Sequence, residues 1–293
     1  MTFLGREVED RAWTLGAPAG DLVPAFVDHR DGDDAGEVVE RVRATEPDVI
    51  VALRPRAVPA EALRSETGAL TLAVVDEAVD THFGRDVWSV DRPPAQPPPA
   101  LPAGYDRVLT TDPLLARERG AWRSAPLPVD DAFFLDPARD EREMRLLFLG
   151  ESTAWRERFL IESKHHYDLS HYAFGLAGEE LREVLEATTI GVLVRTDDGV
   201  TTFPRTALLH LAAGHLVFSE ALRPPRGLEP GLDHVEVHQP DQLLHHLHQV
   251  RKRPRAFDHV RIRGRRRAEA FRASIVWPRL VHDLVTDVRA FAA

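Results

Sequence analysis

The chain has 293 residues, 43% of them hydrophobic, which suits roughly two domains of about 100–200 residues each. It contains no cysteine, so disulfides, thiolate zinc sites and cysteine nucleophiles are excluded and no oxidising compartment is required. A formal charge of −10 argues against nonspecific binding of polyanions, so nucleic acid is not an expected partner. The opening MTFLGREVEDRAW carries acids within its first ten residues, and no stretch approaches the ~20 apolar residues of a membrane span. The expectation is a soluble, cytoplasmic protein without a transmembrane segment.

Residues 1–20 offer only GAPAG after an acidic, poorly periodic stretch. Three apolar runs of strand length follow: Leu22–Asp28 (LVPAFVD), Asp48–Leu53 (DVIVAL) and Leu70–Asp76 (LTLAVVD). Between them, Ala35–Thr45 places Val38, Val39 and Val42 on one helical face, and Pro59–Glu66 makes a shorter helix. This is a β-α-β-α-β series, and its continuous apolar strands predict a sheet covered on both faces. Ser89–Tyr105 is too rich in proline for a helix or central strand, because proline removes N–H donors and fixes φ. A strand at Asp106–Thr111, a helix at Pro113–Arg119 and an extended segment at Trp122–Leu127 complete this half. A domain boundary is placed near Pro137–Glu143, dividing the chain into residues 1–140 and 141–293.

The second half opens with a strand at Met144–Leu149, released by Gly150 into a helix that Ser152 or Thr153 can cap. His171–Gly175, a helix at Glu179–Ala187 and a strand at Thr189–Val194 continue the series. In FPRTALLHLAAGHLVFSEAL, Phe203–Leu222, Leu208, Leu209, Leu211 and Ala212 recur at helical spacing, Gly214 can take the left-handed conformation that ends a helix, and Leu216–Phe218 form a buried strand. A short strand at His234–His238 and a polar helix from Asp241 follow. Ligands of doubly wound sheets sit at the carboxyl ends of strands, where helix N-termini offer N–H groups to phosphate. Pro204, Arg205 and Thr206 are therefore a candidate phosphate site.

These residues carry a resemblance. APLPVDDAFFLDP, Ala125–Pro137, looks like the interdomain crossing of GT-B glycosyltransferases, and GESTAWRERFL is similar to their strand-glycine-arginine pattern. The run ending at Gly214 resembles the R-x-F-E-A-x-A-x-G helix of the CgeB-type and family-1-like branches. Thr206 falls at the arginine position, one place after Arg205, and Leu209 replaces the glutamate that usually holds the donor ribose or sugar. The resemblance implies two Rossmann-like α/β domains facing a cleft, with an acceptor side first and a nucleotide-sugar side second. It also implies C-terminal helices that cross back to the first domain. Such first domains usually begin with a strand and a glycine-rich turn, so residues 1–20 predict a shortened or rearranged one. The implied activity is metal-independent sugar transfer from a nucleotide-diphosphate sugar, as donor substrate rather than cofactor, to an unknown glycan, protein or small-molecule acceptor. The alternative is a noncatalytic GT-B-like binding or scaffold protein.

Each candidate residue has a plain structural reading beside the functional one. Gly150, Ser152, Thr153 and Arg156, with Glu151, either meet a diphosphate or form an ordinary capped helix. Arg205 opens a helix, where the dipole disfavours a cation, so it either meets a bound anion or pairs with Asp197 or Asp198. Arg195 is a weaker companion. Ser219, Glu220 and Glu229 follow the strand HLVFS in the position of a donor loop, where Glu229 either stands in for the missing carboxylate or solvates the loop. Asp28 and His29, at a strand end, are a candidate general base or simply a turn, and Asp76 and Glu77 have similar standing. His165, His166 and His171, and then His245, His246 and His248, read as polar-face histidines rather than metal ligands. The arginines of Arg251–Arg272 read as the outer face of packed helices.

Overall fold

A computed structural model describes residues 1–30, 32–76, 100–136, 144–173, 175–196 and 203–291. Glu77, Asp197, Asp198, residues 137–143 at the expected boundary and residues 89–99 of the proline-rich stretch lie outside them. The chain forms two compact α/β units. One joins the described residues up to Asp131 to those from Arg272 onward, and the other is Ala132–Phe271.

The first unit is built on six parallel strands: β1 (Thr2–Gly5), β2 (Ala25–Asp28), β3 (Val49–Ala52), β4 (Leu70–Val75), β5 (Arg107–Thr110) and β6 (Arg123–Ser124), in the order β2-β1-β3-β4-β5-β6. The expected lack of an opening strand is corrected here. TFLG is a fully buried strand between β2 and β3, in register Phe3 with Phe26 and Val51. It escapes notice because four residues show no period and the acidic one-turn helix α1 (Glu7–Asp10) follows at once. Helix α2 (Ala35–Arg43) is capped by Asp34, whose carboxylate accepts from Gly36 N and Glu37 N. It buries Val38, Val39 and Val42 against Leu4 and Ile50. Helix α3 (Ala60–Thr67) stops at left-handed Gly68, and α4 (Pro113–Arg119) joins β5 to β6.

The last helix belongs to this unit. Helix α10 (Ala273–Phe291) buries Trp277, whose ring meets Phe3 edge-on at 5.0 Å and whose Nε1 donates to the Trp13 carbonyl at 3.1 Å. Beside its start, Ala273 N donates to the Val129 carbonyl (2.8 Å), Ser274 N donates to Asp131 Oδ1 (3.0 Å), and Arg272 pairs with Asp131 (3.2 Å).

The second unit has five parallel strands, β7 (Arg145–Leu149), β8 (Asp168–Tyr172), β9 (Ile190–Leu193), β10 (Leu216–Ser219) and β11 (Val235–Glu236), ordered β11-β10-β9-β7-β8. The helices are α5 (Ala154–His166), α6 (Gly178–Glu186), α7 (Thr206–Ala212), α8 (Pro240–Lys252) and α9 (Asp258–Ala268). Its core joins Phe148, Val192 and Phe218 from the sheet to Phe159, Leu243 and Val260 from the helices. The strand expected at His171–Gly175 starts three residues earlier, at Asp168. It is an edge strand with alternating exposure, so it lacks the apolar run that marks its neighbours.

Helix α7 ends as its glycine predicts. Gly214 has φ 77°, its N–H donates to the Leu211 carbonyl, and His215 N reaches back to the His210 carbonyl, which makes a Schellman motif. The two positions that this motif normally joins by an apolar contact are here two buried histidines. His215 Nε2 donates to the Leu185 carbonyl (2.8 Å), so its Nδ1 accepts, and His210 Nδ1, 2.9 Å away, carries the hydrogen between them. Room for the His210 ring comes from Gly191 on β9, where a Cβ would stand 2.5 Å from His210 Cγ.

Candidate functional site

In the second unit the strand order reverses about β7: β8 lies on one side, and β9, β10 and β11 extend on the other. Ligands of open parallel sheets bind beyond the carboxyl ends of strands at such a reversal. The segments there are Gly150–Thr153, after β7, and Val194–Thr196, after β9.

Gly150 has φ 154°, and a Cβ on it would meet Arg156 Nη1 at 3.2 Å and the Phe148 ring at 3.3 Å. Its N–H donates to the Tyr172 carbonyl (2.9 Å), and its carbonyl lies 2.8 Å from His171 Nε2. Thr153 caps α5, accepting from Arg156 N (3.3 Å), while its own hydroxyl donates to the Thr196 carbonyl (2.7 Å). Ser152 Oγ donates to Glu157 Oε1 at 2.5 Å. Among the described residues, the backbone N–H groups of Glu151, Ser152 and Thr153 meet no acceptor. Three unengaged donors thus open a helix of 13 residues at the sheet's reversal point.

Arg156 sits among these groups, donating from Nε to the Val194 carbonyl (3.0 Å) and from Nη1 to the Glu151 carbonyl (2.9 Å). Both of those partners are neutral, so the guanidinium is fixed by carbonyls and, among the described residues, no carboxylate is hydrogen-bonded to it. Burial pushes its pKa down from the usual value, and the carboxylates of Glu151 and Glu220 act in the opposite sense. An anion here would relieve that desolvation.

Arg195 and Glu220 form a separate arrangement. Glu220 is buried; its Oε2 accepts from Arg195 N (2.8 Å) and Trp155 Nε1 (3.2 Å), and its Oε1 pairs with Arg195 Nε (2.8 Å). The Arg195 guanidinium also lies 4.9 Å from the Trp155 ring centroid. Glu220 therefore fastens the ends of β9 and β10 to α5. Ser219 is buried, with its hydroxyl turned to the Glu220 carbonyl.

The other predicted residues lie elsewhere in their elements. Arg205, half-buried, occupies the cap position of α7 with helical backbone and caps nothing by its side chain, and Thr206 is the first helical residue. Glu229 accepts from Arg263 (2.9 Å) and Arg267 (3.3 Å) on α9, where Arg263 also holds buried Asp233 (2.9 Å). In the first unit, Asp28 Oδ1 accepts from Glu7 N (2.9 Å) at the start of α1, and Oδ2 pairs with Arg30 (3.1 Å). Buried His29 faces Asp33 at 3.7 Å, and Asp76 accepts from the Thr111 hydroxyl (2.8 Å). Among the described residues no group of three or more histidine, aspartate or glutamate side chains is disposed to hold a metal ion.

Sequence reasoning did not name Trp155, Glu157 or Lys164 as site residues, and it took His171 only as a surface histidine. Glu157 and Lys164 stand seven apart on α5, two turns along one face, and that spacing is the one signal the sequence carries for their 2.7 Å ion pair. His171 joins them only through strand pairing.

The fold is that of the GT-B glycosyltransferases: two parallel α/β sheets, each with its helices. Three solved structures illustrate the likeness. Anabaena HepE in complex with UDP-glucose matches with a TM-score of 0.59 at 10% identity over 98% of this chain and 100% of that one. AviGT4, a glycosyltransferase involved in avilamycin A biosynthesis, matches with a TM-score of 0.57 at 14% identity over 97% of each chain. Sucrose-phosphate synthase from Thermosynechococcus elongatus matches with a TM-score of 0.55 at 14% identity over 98% of this chain and 89% of that one. No family model matches the chain, and no curated protein does.

Proposed function

We propose that this chain is a glycosyltransferase that takes its sugar from a nucleotide-diphosphate sugar, with the donor diphosphate at the opening of α5. The observation that carries this reading is the set of unengaged N–H groups at Glu151, Ser152 and Thr153, beside an arginine whose guanidinium is held by backbone carbonyls. HepE is crystallised with UDP-glucose on the same fold, which supports a nucleotide sugar as donor.

Chemically, departure of a nucleoside diphosphate from the anomeric carbon places negative charge on the leaving oxygens. Donors fixed before the reaction stabilise that charge without reorganising. The N–H groups of 151–153 supply the dipoles and Arg156 the full charge. Arg205 and Thr206, at the opening of α7, belong to the same phosphate-binding proposal. Leu209 at the family's glutamate position leaves recognition of the ribose or sugar to other residues; Glu229 is held by two arginines of α9, so it is not assigned that role.

The test is calorimetric binding of UDP, GDP, dTDP and CDP, alone and as sugar conjugates, to the wild-type protein and to Arg156→Ala and Arg205→Ala. Saturable binding to one nucleotide, weakened at least tenfold by Arg156→Ala, is the expected result. Absence of binding to all of them sinks the reading and leaves a scaffold whose partner is a protein or glycan.

A further inference from the structure

We propose that His171, on the edge strand β8, is a positioning residue for the donor site: it sets the direction of the Glu151 N–H by holding the Gly150 carbonyl. This rests on the donor reading above and assigns the part of the fold that shapes the site.

In a trans peptide unit the C=O of one residue and the N–H of the next point in opposite directions, so whatever holds the carbonyl also aims the N–H. The Gly150 carbonyl lies 2.8 Å from His171 Nε2. A carbonyl only accepts, so Nε2 carries the hydrogen and the Glu151 N–H is turned to the side away from β8. The next peptide is aimed in the same manner, because Arg156 Nη1 holds the Glu151 carbonyl and thereby orients the Ser152 N–H. Two side chains from different elements thus fix two consecutive donors of the proposed site.

The histidine is itself held in one orientation. With the hydrogen on Nε2, Nδ1 offers a lone pair, and Lys164 Nζ faces it at 3.3 Å. Lys164 is anchored by Glu157 Oε2 (2.7 Å), and Glu157 Oε1, which takes the Ser152 hydroxyl, lies 3.6 Å from His171 Nδ1. The ring packs edge-on against Phe148, its register partner on β7, with centroids 4.8 Å apart. Gly150 N is bound to the Tyr172 carbonyl, so β8 holds the glycine at both its N–H and its C=O. The positive φ of Gly150, with Arg156 and Phe148 crowding the space where a Cβ would stand, is what this double hold requires.

The test compares His171→Phe, which keeps a ring against Phe148 and loses the donor, with His171→Gln, which keeps an N–H of similar reach. Two readouts are taken: hydrogen exchange of the Gly150 amide, which is bonded to the Tyr172 carbonyl, without nucleotide, and the dissociation constant for UDP. Loss of one hydrogen bond to the loop should speed exchange there and weaken UDP by roughly tenfold in His171→Phe, while His171→Gln stays within about threefold of wild type. Unchanged exchange in His171→Phe overturns the proposal. So does altered exchange with wild-type UDP affinity, because the loop would then not serve the donor. If the wild-type protein binds GDP, dTDP or CDP instead of UDP, the affinity comparison is made with that nucleotide; if it binds none of the four, the donor reading fails on its own, and the exchange comparison still decides whether His171 holds the loop.

Discussion

The histidine pair that closes α7 is the most demanding contact among single residues. Both rings are fully enclosed, and enclosure pushes both pKa values down, His210 well below the ordinary histidine value and His215 to about 4. Both are neutral in the folded protein where an unfolded chain would protonate them. The unfolded state therefore binds more protons below about pH 6.5, and stability falls as pH drops from there toward about 4, at up to roughly 1.4 kcal/mol per pH unit for each ring. Thermal melts between pH 4 and 8 should show this decline, and it should flatten in His210→Leu/His215→Leu. Gly191→Ala tests the same contact sterically. Its Cβ would sit 2.5 Å from His210 Cγ and 2.9 Å from His210 Cβ, so a loss of about 1–3 kcal/mol in urea denaturation is expected, and a smaller loss when Gly191→Ala is added to His210→Ala, where only the Cβ contact remains. If Gly191→Ala costs the same in both backgrounds, the packing argument is wrong. Neither partner was visible in the sequence as such, since His210 and His215 meet only through the turn at Gly214 and Gly191 lies on another strand.

At the scale of elements, legibility followed burial. The strands covered on both faces, β3, β4, β7, β9 and β10, announce themselves as apolar runs. The helices between them show their faces through spaced valines and leucines, and Gly214 marks the end of α7. The misses were β1, too short for a period, and the start of β8, which alternates because it is an edge; β6 and β11, two residues each, fall inside the extended segment Trp122–Leu127 and the strand His234–His238 expected there. The loop after β7 was legible as Gly150 with Thr153, because a strand-to-helix glycine and a cap are local signals. The clasp of Glu220 on Arg195 and Trp155 was not, since it is made across strands. Helix α10 gives a prediction at this scale. Trp277→Ala removes the largest fully buried side chain and should cost about 3–5 kcal/mol. Hydrogen exchange should then rise in β1 and β3 and leave β7, β9 and β10 at wild-type rates; a uniform rise would contradict the division into two units.

For the molecule as a whole, the acidic balance and the fate of the late arginines point the same way. Arg261, Arg263, Arg265, Arg267 and Arg272 each have a carboxylate partner, from Asp258, Glu229, Asp233, Glu269 or Asp131. The first four are therefore part of the packing of the second unit and Arg272 of the first, and the net charge is −10. No retention on a heparin column at about 0.15 M salt is expected, and salt-sensitive binding there would revive a polyanion function. A nucleotide that binds as proposed should slow exchange at residues 150–156 and 194–196 before any other region.

The pairing of Ala273 with Val129 and of Ser274 with Asp131 has a consequence for how the protein is made. Residues Ala132–Phe271 are continuous, so their sheet can close as soon as that stretch has left the ribosome. The first unit still lacks a part of its core at that point, because Trp277, which its opening strand packs against, is yet to be synthesised. Phe3 must wait through the making of the whole second unit for the ring that covers it. The half of the molecule that is translated first is thus the half that is finished last.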